Sequence, residues 1–99
     1  MFAIVWRYEV RDRHRAEFEA AYGPTGDWAR LFARNPGFRG TELMRSGDDD
    51  SYLTLDVWRS AADFKAFIAE HQPDYEALDA RTEAWTRCEH RIGEYEVLD

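Results

Sequence analysis

Ninety-nine residues fit one hydrophobic core and exclude a multi-domain enzyme, so any pocket has to be built inside one small fold or between copies of it. Apolar residues at 44% and aromatics at 15% are enough to drive folding, which excludes a disordered segment. Thirteen Lys and Arg against twenty Asp and Glu leave a net charge of −7, which repels phosphate backbones and anionic lipid, so neither nucleic acid nor a membrane is the expected partner.

Met1–Val10 alternates, with Phe2, Ile4, Trp6, Tyr8 and Val10 on one face and Ala3, Val5, Arg7 and Glu9 on the other, which predicts a strand with one buried side. Its Arg7 and Glu9 exclude a signal peptide or a span of about 20 apolar residues. Arg15 to about Tyr22 reads as a helix, stopped by Gly23-Pro24-Thr25-Gly26. Asp27 caps a second piece in which Trp28, Leu31, Phe32 and Asn35 recur at helical spacing up to Pro36-Gly37. Phe38–Ser46 and Tyr52–Arg59 are strand-like, and Gly47 to Ser51 between them has hairpin-turn chemistry, so the two should pair antiparallel. Ser60 with Asp63 resembles a capping box, opening a helix with Phe64, Phe67, Ile68 and His71 on one face. Pro73 suits the first turn of a further helix carrying Tyr75, Leu78, Thr82 and Trp85 to about Thr86. Arg87–Leu98 closes the chain as a strand with a bulge expected at Gly93.

The order β-α-β-β-α-β predicts one α+β domain over 1–99: a ferredoxin-like protomer with split helices in the crossovers, laid on one face of a four-stranded antiparallel sheet. The other face carries bulky residues that need a cover, and a second copy packed face to face is the expected one, making a homodimer. A single cysteine, Cys88, forms no internal disulfide, so a reducing compartment such as the cytoplasm is expected.

The runs Gly26-Asp27-Trp28 with Leu31-Phe32, Pro36 to Leu43, and Tyr52 to Ser60 followed by Phe64, Phe67 and His71 resemble the antibiotic biosynthesis monooxygenase domain family over Phe2 to Val97. The resemblance implies a dimeric α/β barrel with a pocket between helices and sheet, in a family that includes cofactor-independent oxygenases of phenolic polyketides, quinol oxygenases and haem-degrading enzymes. For the haem-degrading branch the resemblance implies an Asn, a Trp and a ligating His; their places are held by Trp6, Phe67 and a position near Asp79. Haem degradation is therefore the less expected branch.

Oxidising a phenol without a cofactor requires an aromatic pocket that excludes water, a base that makes the phenolate, and donors that steady anion and reduced oxygen. Histidine is the side chain suited to proton transfer near neutral pH, and His71 shares a helix face with Phe64; it is either that base or a hydrogen-bonded structural residue. Asp56 shares strand parity with Tyr52, Thr54 and Trp58, which makes it a second candidate base, while its ordinary reading is a salt bridge to Arg7, Arg39 or Arg45. Tyr75 is the candidate donor. Trp58 and Trp28, with Phe64 and Phe67, are candidate walls for a flat ligand, and packing alone also accounts for them. Glu42 is a reserve candidate that alternation puts toward either pocket or solvent.

Cys88 and His90 share a strand face but supply only two ligands, Asp48-Asp49-Asp50 lacks the spacing of a calcium loop, and no phosphate loop or nucleophile elbow occurs. The expectation is a monooxygenase of a small phenolic, quinol or polyketide-like compound, using O2 and no metal or bound cofactor. The alternative is a non-catalytic module of the same fold that binds a hydrophobic ligand or only dimerises. Empty volume beneath the helices discriminates between them.

Overall fold

The computed structural model describes residues 1–98; Asp99, the last residue of the expected domain, lies outside the described residues. Alternating apolar positions fold into β1 (Phe2–Val10), and the Gly- and Pro-punctuated stretch after it into α1 (Arg15–Tyr22) and α2 (Asp27–Phe32). The hairpin β2 (Phe38–Arg45) and β3 (Ser51–Trp58) follows, then α3 (Ala61–Thr82) and β4 (Thr86–Glu96). The sheet order is β2-β3-β1-β4 with every pairing antiparallel, the predicted ferredoxin-like arrangement.

Two local features matter for the site. The two helices expected between Ser60 and Thr86 are both present and meet within α3 at a break at His71, whose φ of −121° and ψ of 21° leave the helical region. Pro73 explains the break: its ring and missing N–H deny the preceding turn a regular continuation. In β2, the pairing shifts between Phe38 and Gly40, so Arg39 is an extra residue, and Gly40 takes a φ of +137° that a side chain would resist. A similar shift opposite Val5 and Trp6 falls beside the predicted bulge residue Gly93. At the start of α3 the Ser60 Oγ accepts from the Asp63 N–H at 3.2 Å and donates to its carboxylate at 2.9 Å, the expected cap.

The core lies between the sheet and the helices. Tyr8, Val10, Tyr52 and Trp58 from the strands meet Phe18, Tyr22, Trp28, Leu31, Phe32, Phe67 and Leu78 from the helices. Aromatic rings interlock through it, as in Phe18 on Tyr22 at 4.1 Å and Tyr8 edge-on to Tyr22 at 5.0 Å. On the other face of the sheet Val5, Leu53, Leu55 and Val57 are only half-buried, and Met44 and Tyr95 are 43% and 50% exposed. None of the helices among the described residues is long and apolar enough to cross a membrane.

Candidate active site

Register builds the floor of the site. Thr41, Asp56 and Ile4 lie side by side across β2, β3 and β1; Thr54, Trp6 and Arg91 form the next row, and Tyr8 opposite Glu89 the one after. These rows face the helices, because each strand turns alternate residues to the same side. Tyr22 of α1, Trp28 and Phe32 of α2, and Phe64, Tyr75 and Asp79 of α3 complete the walls of a cavity of about 70 Å³.

Within this largely aromatic lining stands one carboxylate close to neutral titration. Asp56 is pushed up to about 6, first by burial, which disfavours its charged form, with the hydrogen bond from Thr41 acting the other way. Thr41 Oγ1 donates to Asp56 Oδ1 at 2.6 Å. The expected salt bridge is absent among the described residues. Arg7 is on the opposite sheet face and pairs with Glu9 and Asp49 at 3.3 Å; Arg39 is displaced by the bulge and donates to the Pro36 carbonyl at 2.8 Å; Arg45, further along β2, lies 3.8 Å from Glu19.

The phenols move the other way in function. Burial holds Tyr8 far above the ordinary phenol range and pushes Tyr75 and Tyr22 up to about 12, nearby Asp79 adding to the effect at Tyr75. All three stay protonated at neutral pH. The Tyr22 hydroxyl spends its proton on Thr82 Oγ1 at 3.0 Å. At the rim, Glu89 is raised by burial and by the like charges of Asp79 and Glu83, while Arg91 pairs with Glu94 at 3.1 Å. Trp28 Nε1, Thr54 Oγ1 and Trp58 Nε1 are buried without a hydrogen-bond partner, each at a cost of about 1–3 kcal/mol.

Of the candidate catalytic and wall residues named from sequence, Asp56, Tyr75, Trp28 and Phe64 line this cavity, while His71, Trp58, Phe67 and Glu42 do not. Trp58 and Phe67, both fully buried, sit in the core, Trp58 edge-on to Phe38 at 5.1 Å and to Phe64 at 5.5 Å, Phe67 edge-on to Phe32 at 5.3 Å. His71 occupies the break in α3, its ring 5.3 Å from Phe67 and its Nε2 3.8 Å from Glu70. Glu42 is exposed opposite Leu55 on the far face, and Cys88 and His90 are exposed on β4. Sequence reasoning missed Thr41, Thr54, Glu89 and Arg91. Thr54 was available from its shared parity with Asp56; Thr41 depends on register, and on β4 the alternation gave no sign of which set turns inward.

A helix-roofed antiparallel sheet enclosing a largely aromatic cavity, with the buried Asp56 carboxylate unpaired by any cation among the described residues, defines a small ferredoxin-like protein with a pocket between its sheet and its helices. The chain belongs to the antibiotic biosynthesis monooxygenase family, whose sequence profile matches residues 1–90. It is similar to the deoxynogalonate monooxygenase of Streptomyces nogalater, 35% identical over 78 residues, which make up 78% of this chain and 62% of that protein. The chain thus spans less than two thirds of that relative's length. SnoaB, a cofactor-independent oxygenase from Streptomyces nogalater, superposes with a TM-score of 0.79 at 28% identity, over 99% of this chain and 93% of that one. The fold alone is shared with Rv0793 of Mycobacterium tuberculosis, at TM-score 0.70, 18% identity, and 99% and 95% coverage. It is shared in the same way with a MhuD variant carrying two manganese protoporphyrin IX molecules per active site, at TM-score 0.71, 22% identity, and 100% and 97% coverage. The cavity walls here contain neither His nor Cys as a haem ligand, and Trp6 fills part of the floor.

Proposed function

We propose that this protein is a cofactor-independent monooxygenase of a small electron-rich aromatic compound, with Asp56 as base and Tyr75 as donor. The observation that carries the reading is the Asp56 carboxylate, enclosed among aromatic rings, unpaired with any cation and titrating near neutrality. Asp56 takes the proton of a phenol, or of a methylene made acidic by an adjoining phenol-bearing ring, and leaves an anion rich enough to reduce O2. The anion combines with O2 to a hydroperoxide, the proton being returned to the outer oxygen. Breaking the O–O bond with loss of the second C–H proton gives a carbonyl and water. A CH2 thereby becomes C=O, one O2 is consumed, one H2O leaves, and the substrate is the only reductant. Trp28 and Phe64 exclude water from the anion.

The half-exposed apolar face formed by Val5, Leu53, Leu55 and Val57 is the surface on which a second copy would close the sheet, so the working form is a homodimer. A second reading, a binding module without turnover, is favoured by the cavity's small volume of about 70 Å³, against the several hundred typical of drug-sized sites. Oxygen-electrode assays on anthrone-type and hydroquinone-type compounds decide between them. Stoichiometric O2 uptake that falls by about 10²–10⁴ in Asp56→Asn supports the monooxygenase. Binding of these compounds without uptake establishes the module, and uptake unchanged in Asp56→Asn removes Asp56 as base.

A further inference from the structure

Thr41 stands directly opposite Asp56 in the β2–β3 pairing, and its hydroxyl donates to Oδ1 at 2.6 Å, a length typical of a strong bond to a carboxylate. Thr41 is 7% exposed, so water does not compete well for that hydroxyl. The other carboxylate oxygen, Oδ2, has no protein partner among the described residues, while Asp56 keeps accessible surface and lines the cavity. The carboxylate is therefore held at one oxygen and free at the other. This register is itself built: the extra residue Arg39 and the left-handed Gly40 set the pairing that brings Thr41, and not a neighbour of opposite parity, against Asp56.

We propose that Thr41 is a positioning residue for the reaction proposed above: its hydroxyl fixes the Asp56 carboxylate so that one oxygen is presented to the ligand, and it stabilises the charged form that accepts the proton. This rests on the reading of Asp56 as base, but the contact can be tested without turnover. The charged and titratable groups that share the cavity with Asp56 are Tyr8 of β1, Tyr22 of α1, Tyr75 and Asp79 of α3, and Glu89 and Arg91 of β4; α2 supplies only Trp28 and Phe32. None of them replaces the Thr41 hydrogen bond, so its removal is expected to register at Asp56 directly.

The experiment compares wild type, Thr41→Val, which keeps the shape and removes the hydroxyl, and Thr41→Ser, which restores it. The side-chain carboxyl resonance of Asp56, assigned by its loss in Asp56→Asn, is followed by carbon NMR as pH is raised, and the pH dependence of O2 uptake is recorded in parallel. The expected result is a midpoint for Asp56 higher by about one pH unit in Thr41→Val and near the wild-type value in Thr41→Ser. The rising limb of the uptake profile moves by the same amount. An unchanged midpoint in a folded Thr41→Val protein overturns the proposal. If the midpoint moves but the uptake profile does not, Thr41 tunes a carboxylate that is not the base, and the positioning role is overturned together with the reading of Asp56. A rise in midpoint that Thr41→Ser fails to reverse also overturns it, because packing and not the hydroxyl would then be responsible.

Discussion

Replacing Asp56 with Asn should make the protein more stable at neutral pH while abolishing the activity proposed for it. Burial raises the folded-state value to about 6 from the ordinary 3.8, so the fold prefers the protonated acid. That preference is fully present below pH 3.8 and is lost as pH rises through about 6. The gap is worth about 3 kcal/mol at 1.36 kcal/mol per pH unit, and about 2–3 kcal/mol once the accessible surface Asp56 retains is allowed for. Asn carries no charge to desolvate, and its carbonyl still accepts from Thr41. Urea denaturation of both proteins at one fixed concentration, from about pH 4 to about pH 8, isolates this contribution. Asp49 and Asp63, held below the ordinary range by Ser51 and by Arg59 respectively, lose their stabilising contribution as pH falls, but they do so equally in both proteins and cancel. The two stability curves should meet near pH 4 and separate progressively, Asn being the more stable by about 2–3 kcal/mol above pH 7. Parallel curves, or a less stable Asn variant at pH 8, would refute the claim that Asp56 is ionised at a cost to the fold.

Three further outcomes follow from where side chains sit. His71→Ala should leave oxygen uptake within about threefold of wild type, against the losses of about 10² or more expected on removing a base, because His71 lies outside the cavity wall. Trp58→Ala should cost about 3–5 kcal/mol in chemical denaturation, whereas Trp58→Phe should stay within about 1 kcal/mol, since the smaller ring also removes the unpartnered Nε1 from a fully buried site. Leu55→Glu, a charge in the middle of the half-exposed sheet face, should convert the expected dimer to a monomer in light scattering while the secondary structure by circular dichroism persists.

The strand pattern was legible because one face of each inner strand is buried: the alternation in β1 placed Ile4, Trp6 and Tyr8 together, and parity placed Asp56 with Tyr52, Thr54 and Trp58. What Asp56 touches was not legible. Its partner depends on cross-strand register, and one extra residue at Arg39 decides whether Gly40, which has no side chain, or the Thr41 hydroxyl stands opposite it. In the helices Pro73 marked the break, and the second apolar stripe correctly carried Tyr75. What spacing did not tell is that of Phe64, Phe67, Ile68 and His71 only Phe64 reaches the cavity, and that Asp79 joins Tyr75 beyond the break, because a shared helix face can point at the core as readily as at a cavity. On β4 the inward pair is Glu89 and Arg91, flanking the more conspicuous His90. An edge strand whose residues are almost all exposed carries no hydrophobic alternation from which to read its inner face.

A buried aspartate that serves only the architecture ordinarily acquires a cation or several backbone donors, and either would hold its carboxyl at or below the usual range. Asp56 has one hydroxyl donor and aromatic neighbours, in a row where Ile4 beside it shows that an aliphatic side chain is compatible with the floor of the cavity. Such an arrangement is unfavourable for stability and favourable for accepting a proton near neutral pH. The phenols around it are displaced in the complementary sense: the same burial that brings the acid up to about 6 takes Tyr8, Tyr22 and Tyr75 out of reach of ionisation. One environment thus separates a proton acceptor from protonated phenols with no Arg, Lys or His paired to Asp56 among the described residues, and that separation is what the deprotonation proposed above would require. If the difference in stability between Asp56 and its Asn variant proves absent, the separation is absent too, and the aromatic cavity reverts to a place where a ligand rests without reacting.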